Sequence, residues 1–297
     1  MTETPEATAA NALRKLDIEE ATNRLFIHRI SMALIPFFIH LGITPNTVSI
    51  MGALSGVTAA WFYFEYQSTL ACILGFVCMI GWHIFDGADG QLARQTGQVS
   101  AAGFVIDGVC DYVTFVCVYV ALGIALSTSF GNEVWFAVFG AGACHAVQAA
   151  AFEMQREFYI RWTREGGVVA RAQILESKAD ALNQPGIAGL VARGYKAVQE
   201  PFRPIPYALE RELIVEHTEQ VASGSVSRAY RAHFRSLVLK WSILSANNRT
   251  IGIFIFCLLG APLAYFMYEI IVLNLVLFWL LKRNRSAAMA FKTQIKA

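Results

Sequence analysis

The sequence predicts an all-α membrane protein, a bundle of six transmembrane helices with an N-terminal interfacial helix and a helical cytosolic insertion. Three observations carry this. The 297 residues are 56% hydrophobic and only 15% charged, against roughly 25% charged in an ordinary soluble domain. The apolar residues gather in runs close to the roughly 20 that a helix needs to cross a bilayer. Lys and Arg avoid every second connection between those runs, the asymmetry expected when basic loops stay inside. The formal net charge of +2 adds little, because the distribution of charge matters more than its sum.

The elements follow in chain order. Residues 1–22 are polar, open without the basic and apolar pattern of a cleaved signal peptide, and read as disordered. Within 23–44, "LFIHRISMALIPFFIHLG" is apolar but short, is interrupted by Pro36 and carries His28, Arg29 and His40. That composition suits an amphipathic helix lying in the membrane interface. Crossings are expected at about 45–66, 69–85, 104–126 and 133–152, within a segment reaching 159. The apolar block 239–281 is too long for one helix and divides at "LGAP", giving crossings at 242–260 and 263–281. A basic tail, 282–297, follows.

With six crossings the outer connections are "EYQST", 127–133 and 260–263, none of which contains Lys or Arg. The opposite side holds Arg14, Lys15, Arg24, Arg29, Arg94, the segment 153–241 and "KRNRSAAMAFKTQIK". Both termini and the Asp-rich connection are therefore expected on the cytosolic side, of the inner (plasma) membrane in a bacterium.

The insertion, 160–241, is divided by Pro185, Pro201, Pro204 and Pro206. Its last helix, "VSRAYRAHFRSLVLKW", sets Val226, Tyr230, Phe234, Leu237 and Trp241 on one face and Arg228, Arg231 and Arg235 on the other. Such a helix suits a membrane surface or a protein partner, or a packing lobe over the cytosolic mouth. Its charges are too mixed for a nucleic-acid surface. The six cysteines have no paired spacing and lie mostly in apolar runs, which excludes a disulfide framework or zinc knuckle.

The chemistry concentrates in "DGADGQLARQTGQVSAAGFVIDGVCD", residues 86–111. Asp86 and Asp89 are three apart and Asp107 and Asp111 four apart, so on helices each pair shares a face. A connection between two helices would bring the pairs together as hard oxygen donors. One arginine cannot balance four aspartates, and acidic groups at membrane depth are functional by default. A divalent cation is the expected partner, and with no His or Cys ligand spacing, magnesium or manganese fits better than zinc. Two such ions suit a reaction at phosphate or pyrophosphate. Arg94 is placed to hold phosphate oxygens, and Gly87, Gly90, Ala93 and Gly103 leave backbone against which a nucleotide could lie.

Taken together, Asp86-Gly87, Asp89-Gly90, Ala93-Arg94, Gly103, Asp107 and Asp111 resemble the signature of the CDP-alcohol phosphotransferase family, with every fixed position met. "ITPNTVS" at 43–49 is similar to that family's entry into its first crossing, and the resemblance covers roughly 23–159 and 242–281. It implies that a CDP-linked donor binds through two divalent metal ions and that an alcohol displaces CMP. It implies Asp86, Asp89 and Asp107 as metal ligands, with Asp111 as general base and a contact to the second metal. Gly87, Ala93, Arg94 and Gly103 would line the nucleotide site, and the functional unit would be a homodimer.

For the acceptor, Asn248 and Arg249 in "SANNRT" are expected in the inner half of the fifth crossing, where Arg249 either holds an acceptor phosphate or snorkels to the headgroups. His145, Arg156 and Arg161 on and beyond the fourth crossing are further candidates for the acceptor pocket. These arginines favour a phosphorylated acceptor, with inositol phosphate first and CDP-diacylglycerol as donor. Two other readings stand beside this one. The first is transfer of a choline or ethanolamine headgroup to a lipid alcohol. The second is a non-catalytic protein that binds or moves divalent cations, disfavoured by the phosphate-binding features and by the lack of inverted repeats.

Overall fold

The computed structural model describes residues 17–20, 22–163, 200–216 and 224–296. The disorder expected before residue 17, and the insertion between 164 and 199, fall outside these residues. Among the described residues all regular structure is helical. A π-helical turn, Asn23–Ile27, leads into α1 (His28–His40), followed by α2 (Pro45–Phe64), α3 (Thr69–Thr96), α4 (Ala101–Phe130) and α5 (Val134–Thr163). Then come α6 (Tyr207–Glu216), α7 (Ser225–Trp241), α8 (Ala246–Leu258), α9 (Pro262–Met267) and α10 (Leu273–Lys296). A π-helical stretch, Tyr268–Val272, joins α9 to α10. Among the described residues, five helices are long and apolar enough to cross a membrane: α2, α3, Ile106–Phe130 of α4, α5, and the joined Pro262–Ile295. Their apolar side chains point outward as well as inward, with Trp61, Phe136, Phe139 and Leu275 all exposed. In water such a surface would be untenable, and it marks an integral membrane protein.

Short polar caps set the helix starts. The side chains of Thr44, Ser68, Ser100 and Ser245 each accept a bond from the backbone N–H three residues on. The ends fall elsewhere than hydropathy suggested. The second crossing was expected to stop at 85, but α3 continues through the acidic motif to Thr96, where Gly97 takes a left-handed conformation (φ 68°). Nothing in "DGADGQLARQT" forbids a helix, and only a residue tolerant of positive φ terminates it. α5 likewise runs to Thr163 instead of 152; at about 1.5 Å per residue its 30 residues measure about 45 Å, beyond the roughly 30 Å hydrocarbon core. Where a fifth crossing was expected, the helix is shorter. A 3₁₀ turn (Ser242–Leu244) and the Ser245 cap replace its first residues, leaving α8 at 13 residues, about 20 Å.

The chain divides into two compact units. One comprises Glu20–Val147 and Ser245–Asn274. Its helices approach closely through small residues, as expected where no hydrophobic effect drives helix association. A Cβ on Gly56 of α2 would stand 2.3 Å from Thr114 Oγ1 of α4, and one on Gly75 of α3 would stand 3.1 Å from the Tyr63 ring. Around these contacts pack Tyr63, Met79, Trp82, Phe115, Leu122 and Phe266. Phe76 of α3 stacks on Phe254 of α8 with ring centroids 4.3 Å apart. α1 is fastened to α3 by Ser31 Oγ, which donates to the carbonyls of Ile84 (2.8 Å) and Ile27 (2.9 Å).

The other unit comprises Met1–Glu19, Gln148–Leu244 and Leu275–Ala297, so α5 and α10 pass from one unit into the other. All five apolar residues expected on the inner face of α7 are buried. Tyr230 stacks on Trp162 of α5 (5.1 Å) and on Phe234 (4.3 Å), and Phe291 of α10 meets it edge-on. The protein's own helices fill the face that the sequence offered to a membrane or partner. Asp17 receives hydrogen bonds from Tyr159 Oη (2.6 Å) and Arg231 Nε (2.8 Å) and pairs with Arg235 Nε at 2.8 Å.

Candidate active site

The four aspartates come from both sides of one tight helical hairpin. α3 ends at Thr96, Gly97–Ser100 turn the chain, and α4 begins at Ala101 under the Ser100 cap, whose Oγ accepts from Gly103 N–H at 3.0 Å. Asp86 and Asp89 therefore face Asp107 and Asp111 across the hairpin. Carboxylate oxygens of Asp86, Asp107 and Asp111 all lie within 4.8 Å of one another. Asp89, nearly fully buried, lies beside the Asp107 side chain and accepts from Ser49 Oγ of α2 and from the Gly90 backbone N–H. Trp82 donates to Asp111, and its ring is held edge-on by Phe115 at 5.2 Å. Ser49 and Trp82 escaped the sequence reading. Ser49 lies in "ITPNTVS", but nothing local says which helix its hydroxyl faces.

A cluster of carboxylates with no nitrogen or sulfur ligand suits a hard divalent cation, magnesium or manganese. When bound, such ions neutralise phosphate charge and hold phosphate oxygens in place. The surrounding small residues have two kinds of neighbour. A Cβ on Gly87 would stand 3.0 Å from Ser31 Oγ of α1, and one on Gly103 would stand 3.1 Å from Ser100 Oγ and 3.2 Å from Asn46 Oδ1. Both glycines thus allow close packing at the hairpin. Gly90 meets only Arg94, whose Nη1 lies 3.4 Å from the position of its absent Cβ. Arg94 is in the last turn of α3, not in a loop, and is exposed beside half-buried Ala93.

The acceptor candidates separate. Arg249 and His145 meet inside the same unit, in a buried polar network the sequence did not reveal. Arg249 Nε donates to Glu269 Oε1 at 2.9 Å, with both side chains at most 1% exposed. Tyr119 Oη donates to the other oxygen of Glu269 and lies 3.1 Å from both His145 Nδ1 and Tyr265 Oη. Glu269 is the residue that sequence reasoning missed; its signal was a lone acid within an apolar crossing. Asn248 is exposed in the first turn of α8, with its backbone N–H on Ser245 Oγ at 3.5 Å. Its neighbour Asn247 turns inward, donating to Glu20 Oε2 (2.9 Å) and Asn23 Oδ1 (2.8 Å). Arg156 and Arg161 belong to the other unit, where they pair with Glu153 (3.1 Å) and Glu157 (2.5 Å) of their own helix.

A membrane-embedded helical protein with a carboxylate cluster at the turn between two crossings defines a class of integral membrane proteins built for a charged ligand. The comparison with known proteins narrows it. The profile of the CDP-alcohol phosphatidyltransferase family matches residues 42–196, and this chain belongs to that family. It is thus an enzyme, a transferase of phospholipid biosynthesis. A phosphatidylinositol phosphate synthase of Mycobacteroides abscessus is 28% identical over 188 residues, 61% of this chain and 77% of that protein. An archaetidylinositol phosphate synthase of Pyrococcus horikoshii is 36% identical over 96 residues, 32% of this chain and 48% of that protein. A CDP-diacylglycerol–serine O-phosphatidyltransferase of Mycobacterium leprae is 27% identical over 150 residues, 47% of this chain and 49% of that protein. The chain thus spans about half the length of two of these three relatives. No solved structure matches it.

Proposed function

We propose that the protein transfers a phosphatidyl group from CDP-diacylglycerol to inositol phosphate with release of CMP. The observation that carries this reading is the convergence of Asp86, Asp107 and Asp111 within 4.8 Å, with Asp89 beside Asp107. Asp86, Asp89 and Asp107 would hold two divalent ions, with Asp111 as a further ligand, and magnesium or manganese there would offset the charge of the donor pyrophosphate. Arg94 binds phosphate oxygens, and Gly87, Gly90, Ala93 and Gly103 form the floor beneath the nucleotide. Asp111, oriented by Trp82, accepts the proton of the attacking hydroxyl as the new O–P bond forms and the bond to CMP breaks. Inositol phosphate as acceptor is supported by two of the three relatives described above. Asn248, exposed at the start of α8, is a contact for it, with Arg249 and His145 held by Glu269 and Tyr119.

The same reading places six crossings in the membrane, with α8 as a short one. Its hairpin with α9, closed at Gly260 (φ 69°) by Gly260 N–H on Cys257 O at 2.9 Å, supports this. α1 then lies in the interface, both termini and the aspartates face the cytosol, and the enzyme works as a homodimer.

The test is CMP release from purified protein in nanodiscs with CDP-diacylglycerol, manganese or magnesium, and a panel of inositol phosphate, serine and glycerol phosphate. The expected result is release dependent on inositol phosphate and abolished by a chelator. Asp111→Asn should lower turnover about a hundredfold or more, as expected for a lost general base, while donor binding persists. Release with serine alone would assign the serine reaction. No release from any pair would overturn the proposal in favour of headgroup transfer or cation binding.

A further inference from the structure

The outer face of α7 carries a groove that the phosphotransfer site does not use. Arg228, Arg231 and Arg235 follow one another at spacings of three and four residues, and with Lys240, Ser236 and Leu239 they line an open space of about 650 Å³. Because the opposite face of α7 is filled by Trp162 and Phe291, this basic face is fixed outward. Arg231 and Arg235 are each about half exposed even while pairing with Asp17. Arg231 and Arg235 thus share the one carboxylate of Asp17, and with Lys240 beside them the groove keeps an excess of positive charge.

The neighbouring helix shows where the groove stands relative to the membrane. On α10, Lys282 lies over the Phe278 ring (5.1 Å) and Arg283 over Trp279 (5.4 Å). An aromatic and cationic band at the end of an apolar span marks the level of the lipid headgroups. α7 runs antiparallel to α10 from just beyond that band. Trp241 Nε1 donates to Asn284 Oδ1 at 3.3 Å, and His233 Nε2 meets Gln294 Oε1 at 2.7 Å, ten residues and about 15 Å further along. The Lys240 end of the groove is therefore nearest the headgroups, beside the exposed apolar side chains of Leu239 and Ile243. Arg235, Arg231 and Arg228 climb away from it, the first of them within a Debye length of about 10 Å.

We infer that the basic groove of α7 binds the phosphate of an anionic phospholipid headgroup at the membrane surface. Charge complementarity and the apolar residues at its membrane end favour a lipid over a soluble phosphate. Bound there, the lipid fastens α7 to the bilayer through Lys240 and Arg235, with Leu239 and Ile243 against its upper acyl region.

The experiment is native mass spectrometry of the full chain in mild detergent, titrated with dioleoyl phosphatidylglycerol, dioleoyl phosphatidylcholine or glycerol phosphate. The wild type should retain phosphatidylglycerol in preference to phosphatidylcholine and ignore glycerol phosphate. Arg228→Gln/Lys240→Gln leaves both arginines on Asp17 in place. It should weaken phosphatidylglycerol binding about tenfold or more, since each basic residue near a membrane surface is worth about a factor of five. Asp17→Asn should strengthen binding instead. Equal retention of both lipids, or a preference unchanged in the double variant, would overturn the inference. Competition by glycerol phosphate would overturn the lipid in favour of a soluble ligand.

Discussion

At the scale of residues, the sharpest feature is the ion pair of Arg249 and Glu269, both essentially without solvent contact. Two charges at that depth are tolerable only together, because removing one leaves the other uncompensated in a low dielectric. Glu269→Leu or Arg249→Met alone should therefore cost about 3–5 kcal/mol, read as a large drop in thermal unfolding temperature in detergent. The double substitution should cost clearly less than the sum; additive costs would show that the two do not act as a pair. Asp17 offers a second residue-level outcome. Its burial would raise its carboxyl, but hydrogen bonds from Arg231 and Tyr159 and the charges of Arg231 and Arg235 more than offset this and hold it below the usual range. A depressed acid stabilises above its unfolded value and loses that contribution as pH falls through the folded one. Stability should thus fall on acidification below about pH 4, and Asp17→Asn should flatten that part of the profile. An identical acid profile in the variant would remove Asp17 from the account. The aspartates themselves were legible from spacing alone, whereas Ser49, Trp82 and Glu269 were not, because their roles depend on which helix they face.

At the scale of elements, the hairpin of α3 and α4 depends on how closely α2 can approach α4. Gly56 permits that approach, since its Cβ would fall inside the van der Waals shell of Thr114. Thr114 lies three residues, just under one helical turn, from Asp111, so a shift there carries into the carboxylate cluster. Gly56→Ala should destabilise by about 1–3 kcal/mol through overpacking and reduce CMP release further than stability alone explains. Thr114→Ala in the same chain should restore part of both. Full stability in Gly56→Ala would mean that the helices separate without cost. Hydropathy located α2 to α5 well at their starts, where caps and apolar runs coincide. It misjudged the ends of α3 and α5, because a polar stretch can stay helical until a residue such as Gly97 stops it.

At the scale of the whole molecule, the count of crossings decides which side each loop occupies. Six crossings put both termini on one side, with the connections around 66 and 131 on the other. Reporter fusions after residues 66 and 131 should read as outside, and a fusion at the C-terminus as inside. A C-terminal reporter outside would remove α8 from the membrane and leave five crossings.

The membrane class, the order of the helices and the spacing of the acidic motif follow from the chain alone, because each depends on neighbours within a few turns. The clustering of Asp86 with Asp107 and Asp111 within 4.8 Å, the pairing of Arg249 with Glu269 and the filled inner face of α7 were decided by tertiary structure. These depend on the rotation and register of helices far apart in the chain, and periodicity within one helix carries no record of which face of another it will meet.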